Sequence, residues 1–231
     1  MPGLKLVEIW QSTLAVLRPQ FWTLFAIAAP FTLLVDVALT LFGPEPPKTP
    51  AELTPRIAVV IILIPALIGG IAQLAVAHLI ARPEDTPRVA LAAAFAVLPA
   101  YLGAVLLSGI PTGIGLLLLV IPGLYIAARL FLIVPIAVVE RLGMIAILKR
   151  SWTLTEGHAG SILLFLLLAI LFLFGATVLA SGVGAALGSV LTLAGLKAVG
   201  TFVAALASAL VGMILSIAVT AAATVIYLKL R

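Results

Sequence analysis

Cysteine is absent from the sequence and charged residues are scarce. Without cysteine, the chain can form no disulfide, no thiolate nucleophile and no zinc site with Cys ligands. Its two histidines, His78 and His158, are too few for a metal cluster, so we predict no metal and no other cofactor. Charged residues make up 9% of the 231 residues, whereas soluble domains carry about 25%. A soluble domain could not cover its surface with so few polar groups.

Hydrophobic residues instead account for 64% of the chain, and the mean hydropathy is +1.36. The apolar runs reach about 20 residues, the length with which a helix crosses the hydrocarbon core. They lack the alternation of barrel strands, and a helix satisfies its backbone polar groups internally. We therefore predict a single all-α integral membrane domain over residues 1–231, a bundle of about six transmembrane helices. The predicted spans are 21–42, 57–81, 89–113, 114–140, 159–180 and 199–227.

Five segments lie outside these spans, and the shortest is a tight charged turn at 82–88. Apolar residues recur at helical spacing in the N-terminal segment, which predicts an interfacial amphipathic helix over 1–18 or a lead-in without a role. Residues 43–55 form a Pro-rich loop that cannot continue a helix. Residues 141–158 predict a central interfacial amphipathic segment. Residues 181–196 are rich in Gly and Ala, and they fit a long helix end, a re-entrant piece or a surface segment.

Basic residues predict the orientation, because cytoplasmic loops are enriched in Lys and Arg. With an even number of spans both termini share a side, and that side carries all of the thirteen Lys and Arg residues except Lys48, Arg56 and Lys197. We expect a bacterial inner-membrane protein with cytoplasmic termini and an external 43–55 loop. The net charge of +5 then reflects this face rather than nucleic-acid binding. No basic segment followed by a short apolar core begins the chain, so we expect no secretory signal.

Charged side chains within spans are costly and usually face the bundle interior with a partner. Asp36 lies late in the first span, and Arg129 lies well inside the fourth. Arg129 and Glu140 are about three helical turns apart and so share a face. The hypothesis is a buried Asp36–Arg129 ion pair, or an Arg129 that meets a lipid phosphate. The alternative is that both side chains snorkel to their own interfaces.

The fourth span also contains Pro122, Gly123 and Pro135, which predict a kink or a break near Pro122. A broken helix can build a transporter's substrate site, but Pro and Gly are also common in ordinary transmembrane helices, so a structural kink is the favoured interpretation.

The sixth span carries small residues at every fourth position, a spacing that forms a groove for close helix packing. The partner helix is either internal or in a second subunit. The residues of this groove are Gly200, Ala204, Ser208, Gly212 and Ser216, with Thr220 and Thr224 continuing the spacing.

Catalytic motifs are missing: the sequence has no Gly-rich phosphate loop, no HExxH and no G-x-S-x-G. Ser151, Glu156 and His158 are close in sequence, but nearness along a surface helix does not make a triad. We therefore expect no enzyme.

The stretch from Ile121 to His158 contains a recognisable pattern. Its elements are Pro122-Gly123, Tyr125, Arg129, Pro135, Glu140, Ala146, Lys149-Arg150-Ser151-Trp152, Leu154-Thr155 and Gly157. The pattern resembles a bacterial family that includes the membrane domain of glycerophosphoryl diester phosphodiesterases and the YciC-like inner-membrane proteins. The resemblance implies a six-helix inner-membrane module. It implies no phosphodiester hydrolysis, because the phosphodiesterase domain of some relatives has no counterpart in this sequence.

Independently of the family, basic groups and indole favour the membrane boundary. Lys149, Arg150, Ser151 and Trp152 therefore predict a motif that faces headgroups on the cytoplasmic side. The first functional hypothesis is a non-enzymatic module that binds anionic lipids or partner proteins, or a second copy of itself. The second is a small transporter or channel built on the broken fourth helix, Arg129 and Asp36. An intramembrane enzyme acting on lipid is the third.

Overall fold

The computed structural model describes residues 6–45, 47, 49, 52, 54–193 and 195–231, with only the backbone of Lys197. These residues are almost entirely helical and contain no strand. The helices are α1 (Leu6–Phe31), α2 (Leu33–Phe42), α3 (Pro55–Ala58), a π-helical turn (Val59–Leu63), α4 (Ile64–Ala81), α5 (Pro87–Leu118), α6 (Val120–Arg129), α7 (Ile133–Glu140), α8 (Met144–Leu154), α9 (Ala159–Leu193) and α10 (Lys197–Leu230).

Six helical stretches are long and apolar enough to cross a membrane, which confirms the predicted all-α multi-pass class. They are Leu6–Phe42, Pro55–Ala81, Pro87–Leu118, Val120–Glu140, Ala159–Leu193 and Ala198–Leu230. The last helix, α10, is the centre of the bundle and packs against α1, α2, α4, α7 and α9. The core concentrates in the C-terminal half of α4 and the C-terminal third of α10, where nearly every side chain is buried.

The predicted N-terminal surface helix is not a separate element. Residues 1–5 lie outside the described part, and from Leu6 the helix α1 continues through Pro19 to Phe31. Ile9 and Thr13 are buried in the bundle, so this segment packs against its neighbours over its first turns. The expected boundary at residue 18 is wrong, because tertiary packing supports the helix on both sides of Pro19.

The predicted boundary between the third and fourth spans is also wrong. Helix α5 continues to Leu118, and one extended residue, Leu119, joins it to α6. The two helices approach so closely that a Cβ on Gly115 would lie 2.8 Å from Gly123 Cα. A Cβ on Gly123 would lie 2.5 Å from Leu116 N. This reversal depends on two glycines that meet only in the folded chain.

The ambiguous stretch 181–196 is a long helix end as far as Leu193. Gly195, at a φ of 81°, lies in the turn that leads to α10.

The Pro-rich loop at 43–55 is described only in part. Its last residue, Pro55, begins α3. At the start of this helix, Thr54 Oγ1 accepts a hydrogen bond from Ile57 N at 3.4 Å.

Candidate functional site

Helix α8 is docked on the bundle by one stripe of side chains. Ile147, Ser151 and Thr155 recur every fourth residue and are 0% exposed. The hydroxyl of Ser151 donates a hydrogen bond to the carbonyl oxygen of Arg129 at 2.8 Å. The hydroxyl of Thr155 lies 3.2 Å from the same oxygen and 2.8 Å from its nearer acceptor, Ser151 O. Helix α6 ends at Arg129, so that carbonyl is among those without a partner in the helix. Helix α8, which lies in the predicted segment 141–158, therefore supplies a hydrogen-bond donor to the free carbonyl at the end of α6.

The side chain of Arg129 lies against the indole ring of Trp152, which also belongs to α8. Its Cζ lies 4.5 Å from the centroid of the Trp152 ring, a cation–π distance. Tyr125 packs edge-on against the same indole, with ring centroids 6.4 Å apart. Arg129 is only 5% exposed, and its buried Nε has no hydrogen-bond partner.

A second cluster surrounds Glu140 at the end of α7. Arg150 Nε donates to both carboxylate oxygens of Glu140, at 3.0 Å and 3.1 Å. Tyr227 on α10 donates its hydroxyl to Glu140 Oε1 at 3.0 Å. With Arg82 and Arg231, these groups line an open cavity of about 350 Å³. Three arginines thus surround one carboxylate, which leaves an excess of positive charge at this end of the bundle.

The hypothetical ion pair between Asp36 and Arg129 is not formed. Arg129 stacks on Trp152, whereas Asp36 lines a separate cavity of about 120 Å³ with Gly212 and Ser216. Helix α2 packs against α1, α4 and α10, and so Asp36 faces a part of the bundle away from α6. Arg129 and Glu140 do not share a helix face either, because the chain leaves the helix over residues 130–132.

The proline residues of the fourth span lie beside the breaks. Helix α6 begins at Val120 and α7 at Ile133, so Pro122 and Pro135 are each the third residue of a helix. The missing N–H of proline costs least in a first helical turn, where N–H groups have no partner in the helix. The break at Leu119 lies near Pro122, where one was predicted, whereas the second break, over residues 130–132, was not predicted. Gly123 lies at the close contact with α5.

The four residues predicted to face headgroups do not face one surface. Lys149 is exposed, Arg150 pairs with Glu140, Ser151 is buried and Trp152 covers Arg129. Consecutive residues of a helix are about 100° apart around its axis. The four consecutive side chains therefore point in different directions around α8. Of the four, only Lys149 is exposed and has no side-chain partner among the described residues.

The small-residue groove of α10 packs internally over its first turns. A Cβ on Gly200 would lie 2.5 Å from Gly188 O, and a Cβ on Gly184 would lie 3.2 Å from Ala204 Cα. Ser208 and Gly212 are exposed, and Gly212 and Ser216 line the cavity beside Asp36. Near the α9–α10 turn, the groove therefore has α9 as its partner.

Two buried contacts were not anticipated from the sequence. His78 is 1% exposed and lies 2.7 Å from the carboxylate of Asp85, which ties the end of α4 to the turn before α5. The bond from Tyr227 to Glu140 joins the last helix to the fourth span. The charged turn after His78 was the only signal for the first contact, and no local pattern marks the second.

Comparison with known proteins adds no relative. No family model matches the chain, and neither the curated proteins nor the solved structures contain a match. The functional argument therefore rests on the geometry of this site.

Proposed function

We propose that this chain is a non-enzymatic, multi-pass module of the bacterial inner membrane that binds an anionic lipid through its phosphate at Arg129. One observation carries the proposal: Arg129 is 5% exposed, forms no ion pair with any described acidic residue, and has an unbonded Nε. Arginine stays protonated in proteins, and an uncompensated buried charge costs several kcal/mol. An anion at this position would offset that cost.

A lipid phosphate suits the chemistry and the place. The guanidinium group matches the oxygens of a phosphate with two parallel hydrogen bonds. Arg129 belongs to a candidate span, Val120–Glu140, and the neighbouring Trp152 is of the residue type that favours the membrane boundary. The phosphate of a lipid headgroup is the anion that a membrane offers in quantity.

The residues around Arg129 reduce the entropic cost of binding a lipid phosphate, because they already hold the arginine in place. The indole of Trp152 holds the plane of the guanidinium group, and Ser151 and Thr155 hold the backbone of Arg129. A side chain fixed in advance loses less freedom when a ligand binds. The excess of arginines around Glu140 adds attraction for anionic headgroups near this end of the bundle.

Cytoplasmic placement of this end, with both termini on that side, remains part of the proposal, as does membership in the family of phosphodiesterase membrane domains. Transport is less well supported, because the charge pair that suggested it is not formed: Asp36 and Arg129 lie in different places.

The test compares lipid retention by the purified chain and by Arg129→Gln, using native mass spectrometry on protein from mixed phosphatidylglycerol and phosphatidylcholine vesicles. We expect the wild type to retain phosphatidylglycerol more strongly than phosphatidylcholine, because both carry the phosphate but only the choline cation is repelled by the arginines around Glu140. We expect Arg129→Gln to bind it about 10- to 100-fold more weakly, since charge-assisted hydrogen bonds contribute about 1.5–3 kcal/mol.

Arg56→Gln is the matched control, because Arg56 is exposed and lies beside the Pro-rich loop, away from Arg129. It should retain phosphatidylglycerol as the wild type does. Equal retention by a folded Arg129→Gln variant would refute the proposal. Trp152→Leu should give an intermediate loss, because the charge remains but the stacking surface is gone.

A further inference from the structure

A deep apolar groove separates α1 from α9 on the surface of α10. Its floor is formed by Ala218 and Ala222 of α10, and its walls include Trp10 of α1 and Phe165 and Ala169 of α9. Its volume is about 650 Å³, within the range of pockets that hold small-molecule ligands. A ligand in this groove would contact protein on three sides.

The lining of the groove is almost entirely apolar. The hydroxyl of Thr13, which is 3% exposed, donates to Ile9 O at 2.8 Å, and the indole N–H of Trp10 is the other side-chain polar group among the lining residues. Water occupies cavities that offer it polar partners, and apolar cavities stay dry. Because a void of this size forfeits many packing contacts, a hydrocarbon ligand is the occupant that the surface chemistry selects.

The depth of the groove places it in one leaflet. Lys229 Nζ donates to Glu8 O at 3.4 Å, so the start of α1 and the end of α10 are level. At 1.5 Å per residue, the lining residues of α1, 6–17, extend to about 17 Å from this end, and those of α10, 215–222, lie about 12 to 22 Å from it. A leaflet contributes about 15 Å of hydrocarbon, so most of the groove lies at the level of the acyl chains of one leaflet.

We infer that this groove is a binding site for one acyl chain of a membrane lipid from the leaflet at the Lys229 end. The chain lies along the alanine floor, and Trp10, which is 53% exposed, borders it. The site is independent of Arg129, which stacks on α8 instead. A chain held on three sides exchanges more slowly than one that touches a flat helix surface, because more of its contacts must be lost at once.

The experiment uses the full chain in nanodiscs that contain a phospholipid with a diazirine on its acyl chain. After illumination, mass spectrometry locates the labelled peptides. We expect labelling to concentrate on residues 6–17 and 165–173, and to be similar for phosphatidylglycerol and phosphatidylcholine. Uniform labelling of all lipid-exposed helices would overturn the inference.

Two variants fill the groove from different helices, Ala169→Trp and Ala218→Phe. Each should reduce labelling of the groove severalfold while the variant remains folded by circular dichroism and gel filtration. Ala185→Trp is the control, because Ala185 is an exposed residue of α9 outside the groove. Unchanged labelling in both filled variants would overturn the inference, as would protection of the groove by a second copy of the chain. Arg129→Gln should leave this labelling intact, so a failure here is distinct from a failure of the phosphate site.

Discussion

The two ends of the bundle are held together by different interactions. At the end that contains Glu140, named the charged end, side chains from α7, α8 and α10 meet in hydrogen bonds and an ion pair. At the other end, named the glycine end, α5 reverses into α6 and α9 into α10 through backbone contacts at glycines. The large side chains there face outward; Leu117 is 88% exposed and Leu193 is 89% exposed.

This difference follows from the residues that each end contains. The turn from α5 to α6 has no charged side chain, so close backbone approach at small residues supplies the packing there. At the charged end the polar side chains are partly exposed, and they can form specific contacts at a lower desolvation cost. Specific positioning of functional groups is therefore concentrated at the charged end.

The largest effect should come from the glycine end. In Gly123→Val, the new side chain would collide with the backbone of Leu116, which lies 2.5 Å from the Cβ position. Since overpacking costs about 1–3 kcal/mol and backbone atoms cannot move aside, we expect a loss of about 3 kcal/mol or more. Unfolding in mixed detergent micelles measures it.

Leu117→Ala is the control for that variant, because Leu117 lies in the same turn region but is 88% exposed. It should unfold like the wild type within about 0.5 kcal/mol. If Gly123→Val were as stable as Leu117→Ala, the close contact between α5 and α6 would not hold this end together.

An intermediate effect should come from the charged end. Glu140→Gln removes the charge that faces Arg150 and weakens the acceptor for Tyr227. Removing one partner of a fully buried pair costs about 3–5 kcal/mol. Because Arg150 is 38% exposed and Glu140 21% exposed, solvent screening reduces the expected loss to about 1–2 kcal/mol.

The same unfolding measurement applies to Glu140→Gln, with the exposed Glu156→Gln as its control. A double variant, Glu140→Gln with Arg150→Gln, should lose less than the sum of the two single losses if the pair is coupled. Additive losses would show that Glu140 and Arg150 act separately.

The smallest effect should come from Ser151→Ala. It removes the hydroxyl that donates to Arg129 O at 2.8 Å, and the Thr155 hydroxyl, 3.2 Å from the same oxygen, is left as the weaker partner. A net hydrogen bond contributes about 1 kcal/mol, so we expect a loss of that order or less. Thr153→Ala is the control, because Thr153 lies on the same helix but is exposed; equal stability of both variants would contradict a structural role for Ser151.

Sequence patterns alone located the six spans, because long uncharged runs identify helices in a membrane. They failed at boundaries that depend on contacts between distant residues. Leu119 separates α5 from α6 although the Gly and Pro residues before it suggested an earlier end. The helix α1 passes through Pro19 because its first turns are packed in the bundle.

The sequence identified residues of the candidate site, but it did not show which of them are in contact. Intramembrane charge singled out Arg129, since such a residue is rarely without a role. Its neighbours could not be known, because Trp152 reaches it only when α8 folds back on the break between α6 and α7. Tyr227 and Glu140 are far apart in sequence, so their contact leaves no local pattern.

By itself, the sequence determined that this chain is a helical membrane protein, since its apolar runs and its lack of charge leave no other way to satisfy the backbone. Only the tertiary structure decided that Arg129 faces Trp152 and not Asp36, and that Glu140 holds Arg150 and Tyr227. The physical reason is that the hydropathy of a segment depends on that segment alone. The partner of a polar side chain depends on which helices become neighbours.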